Sequence, residues 1–115
     1  MLRLAVCFLA WLACASSASG TVLIEDLATY QKSPASEADD YIEGVIKGIF
    51  VASNELEFKG KEGLVCPPQD QFKFEPQLAA KILSEYLEKH APKADPKEDI
   101  AVPMIYALMD KFPCK

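Results

Sequence analysis

Apolar positions along the chain fall into four helical patterns. The strongest follows Ser36, where Ala38, Tyr41, Ile42, Val45, Ile46, Ile49 and Phe50 recur at the i, i+3, i+4, i+7 spacing of one helix face. It predicts a helix over 37–55. Ser36 with Asp39 three residues on predicts a capping box, and Glu37, Asp39 and Asp40 suit the positive end of the helix dipole. A second helix is predicted over 76–89, with Leu78, Ala79, Ile82, Leu83, Tyr86 and Leu87 on one face. Pro76 opens it, because a fixed φ and a missing N–H suit a first turn, and Ala91-Pro92 stops it. A third helix is predicted from Asp95 as cap, with Pro96 in the first turn and Glu98 at the capping-box position. Its face uses Ile100, Ala101, Met104, Ile105, Leu108 and Phe112. Pro103 interrupts this pattern, removing one backbone donor and crowding the Asp99 carbonyl, so a kink or a helix restart is expected. Ahead of these, Val22, Leu23, Leu27 and Tyr30 fit one side of a short helix ended by Ser33-Pro34. No period-two alternation competes. The expected fold is all-α, a small bundle of three main helices plus a short N-terminal one.

Residues 56–75 read as a loop, broken by Gly60, Gly63 and Pro67-Pro68, with Lys59, Lys61 and Glu62 at its tip. Inside the first main helix, Gly44 and Gly48 each cost about 1 kcal/mol relative to alanine. Close approach of another backbone is the expected compensation. The same spacing marks membrane helix dimers, but Glu43 and Lys47 interleave here and favour packing in water.

The chain has 115 residues, half of them apolar. The first 18 skew that figure: Arg3 precedes an uncharged run from Leu4 to Ala15, and small residues follow, as in a secretory signal peptide. The expected organisation is a leader over 1–18 and one domain over 19–115. A lipid anchor at Cys14 is the alternative, opposed by Trp11 where a lipobox has leucine. Without the leader, eleven lysines and no arginine face 17 acids, a formal charge of −6. Such a surface offers little to phosphates, which argues against a nucleic-acid partner. No later run approaches the ~20 apolar residues that span a bilayer.

Cys7 and Cys14 lie in the leader, leaving Cys66 and Cys114 in a chain expected to be exported, where oxidation is the default. A disulfide between them is expected, worth about 4 kcal/mol in the chain-entropy model. Catalytic constellations are lacking. The one histidine, His90, ends the second helix, where it suits terminal carbonyls better than a nucleophile. Cys66, Cys114, His90 and a carboxylate lack the paired short spacings of zinc sites. Asp39, Asp40 and Glu43 read as a solvated first turn, not as a carboxylate pair flanking a cleft. No phosphate-binding or calcium loop is present in the sequence. Binding, without cofactor or metal, is the expected activity.

Several motifs recur together in one known family. Tyr41-Ile42-Glu43-Gly44-Val45 resembles its Y-[IL]-x-G-[VY] helix, and Val65-Cys66-Pro67 its cysteine-proline turn. Gln77-Leu78, Tyr86-Leu87 and His90-Ala91-Pro92 resemble its Q-L, Y-L and H-P positions, and Ala107-Leu108 with Phe112-Pro113-Cys114 its closing A-L-x(3)-F-P-C. The family is the Rap/Tai type, the resistance-associated and type VI secretion amidase immunity proteins of Gram-negative bacteria, and the resemblance covers residues 37–114. It implies a periplasmic, mostly helical, often dimeric protein that binds a secreted peptidoglycan amidase and occludes its active site. The sequence departs in two places. Tyr30 and Ala38 stand where many members carry a further cysteine pair, and Phe74-Glu75-Pro76 replaces the usual Thr or Ser ahead of Gln77.

On that reading the stretch 53–63 is the candidate partner-binding loop, with Ser53, Glu55, Glu57, Lys59, Lys61 and Glu62 for polar contacts. Its plain alternative is a solvated connection. A periplasmic stress or acid chaperone is the competing function, since neutralising the 17 acids at low pH would loosen a dimer and expose apolar surface.

Overall fold

The computed structural model describes residues 20–68 and 74–114; the leader expected over 1–18 lies outside the described residues. A single 3₁₀ turn, Ile24–Asp26, runs into α1 (Leu27–Lys32), followed by α2 (Ser36–Phe58), α3 (Pro76–His90) and α4 (Ala101–Lys111). Among the described residues there is no strand beyond an isolated antiparallel bridge between Leu23 and Asp99. The all-α expectation holds. So does the disulfide, Cys66–Cys114, with Cα atoms 5.0 Å apart.

α3 is the central helix, packing on α1, α2 and α4, and α2 also touches α4. The apolar stripes meet as their spacing dictates. Ile42, Ile46 and Ile49 of α2, Ala79, Ala80, Ile82 and Leu83 of α3, and Met104, Ala107 and Leu108 of α4 are buried in one cluster. Leu27 and Tyr30 of α1, with Val22, Val65 and Ile100, complete it. Phe74 joins two elements edge-to-face, its ring 5.2 Å from Phe50 and 6.2 Å from Phe112.

The start of α2 differs from expectation. Its N-cap is Ala35, which has no side chain to cap with, and Ser36 is already helical. Asp39 is engaged elsewhere: its carboxylate accepts from the hydroxyl of Tyr30. Tyr30 is buried, and a buried phenol needs a partner more than a solvated helix end does. The capping box is replaced by a tie between α1 and α2.

The last helix differs more. It begins at Ala101, six residues after the expected cap. Backbone pairing explains the delay, because residues 96–100 are bonded to the segment before α1. Ile24 N donates to Glu98 O at 2.9 Å, Glu25 N to Pro96 O at 3.0 Å, and Ile100 N to Val22 O at 3.0 Å. Asp95 closes a tight turn instead, its Oδ1 accepting from Lys97 N at 2.9 Å. The N-cap is Ile100, and Asp99 just before it supplies the side-chain acceptor, its Oδ1 accepting from Ala101 N at 2.9 Å. Pro103 then falls in the first turn, where its missing N–H would have had no intrahelical partner. The anticipated kink or restart does not occur, because no helix runs through residues 95–100 for Pro103 to interrupt.

Gly44 and Gly48 also depart from expectation. Both are exposed, and a methyl group on either would meet no atom within 4 Å among the described residues. Among the described residues no second backbone packs there. His90 is turned from its own helix end, stacking on Tyr86 at 4.8 Å with Nε2 3.7 Å from Asp110 Oδ2 of α4.

Candidate functional site

The predicted loop is largely helix. α2 continues to Phe58, so Ser53, Glu55 and Glu57 lie on its last turns and only Lys59, Lys61 and Glu62 lie beyond it. The end is closed by two backbone bonds, Lys61 N to Leu56 O at 2.8 Å and Gly60 N to Glu57 O at 2.9 Å. Together they form a Schellman motif. Gly60 carries the left-handed backbone that motif requires, with φ 74°.

Ser53 is not a surface contact. It is 2% exposed, and its hydroxyl is spent on the returning chain. Oγ donates to Val65 O at 3.1 Å and accepts from Leu64 N at 2.9 Å and Val65 N at 3.2 Å. One donor and two lone pairs are thereby all used. Gly63 lets the chain come this close: a methyl there would stand 2.8 Å from Ser53 Oγ and 2.6 Å from Glu57 Oε1. Beyond Val65, Cys66 N donates to Phe112 O at 2.8 Å, and the disulfide fixes the same point to Cys114.

The result is a projecting tip held at its base by a hydroxyl clasp, a backbone bond and a covalent bond. Glu55, Glu57, Lys59, Lys61 and Glu62 are all exposed on it, as anticipated. None of Glu55, Lys59, Lys61 and Glu62 forms an ion pair among the described residues. Among them stands Phe58, 88% exposed, the most exposed large apolar side chain of the described residues. The charge pattern does not mark it. The available signal was phase: the buried stripe runs through Ile42, Ile46, Ile49 and Ser53, and Phe58, five positions further on, falls on the opposite side of the helix.

Other surfaces offer less. Val102, Tyr106 and Met109 form an exposed apolar line along α4. A groove of about 360 Å³ between α3 and α4 is lined by Glu85, Tyr86, Lys89, Asp110 and Lys111, charges of both signs. Among the described residues no buried side-chain polar atom lacks a hydrogen-bond partner, and no helix is long and apolar enough to cross a membrane.

Gly44 and Gly48 stand apart from the tip on the open side of α2. The tip therefore carries most of the predicted partner-binding residues: Glu55, Lys59, Lys61 and Glu62 are exposed on it with Phe58, Glu57 is exposed at its foot beside Cys66, and Ser53 is buried in its base. No protein-family profile, curated protein or solved structure matches the chain.

Proposed function

We propose that this protein is an immunity-type binding protein of the Gram-negative periplasm, which blocks a secreted peptidoglycan amidase by seating the α2 tip in its active-site groove. The observation that carries the reading is Phe58, an aromatic ring exposed at 88% on a segment whose backbone is already fixed. Leaving a ring in water forgoes about 1.5–3 kcal/mol of transfer free energy, which a partner pocket would recover. Interface energy concentrates in central aromatic anchors ringed by polar groups, and Glu55, Lys59, Lys61 and Glu62 are exposed charges within four residues of Phe58 in the chain. Fixing the tip beforehand reduces the entropy lost on docking. The motif resemblance supplies the class of partner.

The test is binding of the oxidised protein to amidases encoded near its gene, with inhibition of peptidoglycan cleavage read in parallel. Phe58→Ala is expected to weaken binding by about 30-fold or more, the scale of a hot-spot loss of ~2 kcal/mol. Unchanged affinity for Phe58→Ala, combined with unchanged affinity after charge reversal at Glu55, Lys59, Lys61 and Glu62, removes the tip as the contact. Full amidase activity at saturating protein removes the amidase.

A second reading is favoured by the apolar line Val102, Tyr106 and Met109 on α4. A stress chaperone would hold unfolded clients on such a face. Suppression of client aggregation at acid pH, lost on replacing these three by serine while amidases are unaffected, would select it.

A further inference from the structure

Two sulfurs and a carboxylate meet at the foot of the tip. The Cys66 and Cys114 sulfurs and a Glu57 oxygen all lie within 4.8 Å of one another. Glu57 Oε1 stands 3.5 Å from Cys66 Sγ, and since a disulfide sulfur has no proton to donate, hydrogen bonding does not explain the approach. Around zinc, thiolate at about 2.3 Å and carboxylate at about 2.0–2.2 Å leave neighbouring ligand atoms roughly 3.5 Å apart, so this pair is already at ligand spacing.

The grouping does not depend on the S–S bond alone. The backbone of Glu57 is set by α2, Cys66 follows two residues whose backbone is clasped by Ser53, and Cys66 N is bonded to Phe112 O two residues before Cys114. Gly63 leaves the carboxylate its room. Glu57 and Cys66 are exposed and border a cavity of about 280 Å³ that also reaches Asn54 and Val65, which gives water a path to a fourth coordination position. The sequence lacks zinc-site spacing because the two cysteines are 48 residues apart and only the fold joins them.

We propose that the reduced protein binds a divalent cation of the zinc class through Cys66, Cys114 and Glu57, with water as the fourth ligand. The site arises in two balanced steps. A phosphine reductant takes up the oxygen of one water molecule, and its two electrons and the two protons of that water convert the disulfide to two thiols. The cation then displaces both thiol protons to solvent, leaving two thiolates and one carboxylate on the metal. Oxidation and metal binding are mutually exclusive states of one site, and neither rests on the amidase reading.

The full chain, reduced with a water-soluble phosphine and freed of it without air, is titrated with Co²⁺ as the spectroscopic probe. A thiolate-to-cobalt charge-transfer band is expected at one metal per chain, bleached by added Zn²⁺, with two protons released. Oxidised protein is expected to show no band. Glu57→Gln is expected to weaken cobalt affinity by about 10–100-fold, the range already seen for loss of an outer-shell partner. Far-UV circular dichroism follows the fold in the same samples. The proposal is overturned if the reduced, helical protein gives no charge-transfer band. It is equally overturned if the reduced chain loses its helices and metal fails to restore them, or if Glu57→Gln binds cobalt as tightly as the parent.

Discussion

The hydroxyl of Tyr41 reaches both carboxylate oxygens of Asp99, at 2.5 and 2.6 Å, across 58 residues of sequence. Asp99 also caps α4 through Ala101 N, so one carboxylate joins α2 to the start of the last helix. Hydrogen bonds to a charged partner are worth about 1.5–3 kcal/mol. Tyr41→Phe is expected to destabilise by about 1–2 kcal/mol, and Asp99→Ala by more, since it also removes the cap. Urea denaturation of both single variants and the double variant measures the coupling; strictly additive losses would show that the pair is not coupled.

The same tyrosines set an alkaline limit. Burial raises the Tyr41 phenol to about 12, helped by its bond to Asp99 and by that carboxylate's charge. Burial, the Asp39 bond and the Asp39 charge push Tyr30 up still further. An unfolded tyrosine releases its proton near pH 10, so above that value the folded state holds protons that the unfolded state has lost. Stability is complete below about pH 10 and falls as pH rises toward 12. Thermal melts between pH 8 and 12 check this, and Tyr30→Phe with Tyr41→Phe is expected to flatten the decline.

Gly63 and Ser53 form one clasp from two sides. Ser53→Ala leaves Leu64 N and Val65 N without their acceptor, for an expected loss of about 1–3 kcal/mol. Gly63→Ala drives a methyl against an oxygen held by three hydrogen bonds and costs about 1–3 kcal/mol as overpacking. Hydrogen exchange at Leu64 and Val65 is expected to accelerate in both variants ahead of the α3 amides. Protection equal to that of the parent would show that the clasp does not hold the loop.

Gly44 and Gly48 give the opposite sign. A methyl at either position meets open space on an ordinary helical backbone, so Gly44→Ala and Gly48→Ala are each expected to stabilise by about 0.5–1 kcal/mol. Melting temperature at several protein concentrations is the measurement. Loss of stability, or a new concentration dependence, would mean that another molecule's backbone approaches this face.

Much of this architecture was legible in the chain, and the reasons differ element by element. The stripe Ile42, Ile46, Ile49 carries helical phase by itself, and Pro76 marks the start of α3 to the residue. The start of α4 was not legible, because Asp95, Pro96 and Glu98 make an equally good local cap and only the distant partners Val22, Ile24 and Glu25 draw that backbone away. Asp39 was misread for the same reason, a local signal overridden by the buried hydroxyl of Tyr30. At the tip, charge pattern located Glu55 to Glu62, but Phe58 and Ser53 exchanged the roles their chemistry suggested: the aromatic faces water and the hydroxyl is buried.

The pairing of residues 22–25 with 96–100 also sets a timetable. A chain made from its N-terminus completes the apolar faces of α2 and α3 before Pro96, Glu98 and Cys114 arrive to close over them. The contacts that close the core therefore become available only when synthesis is nearly done. Any product that stops short of residue 96 lacks both closures.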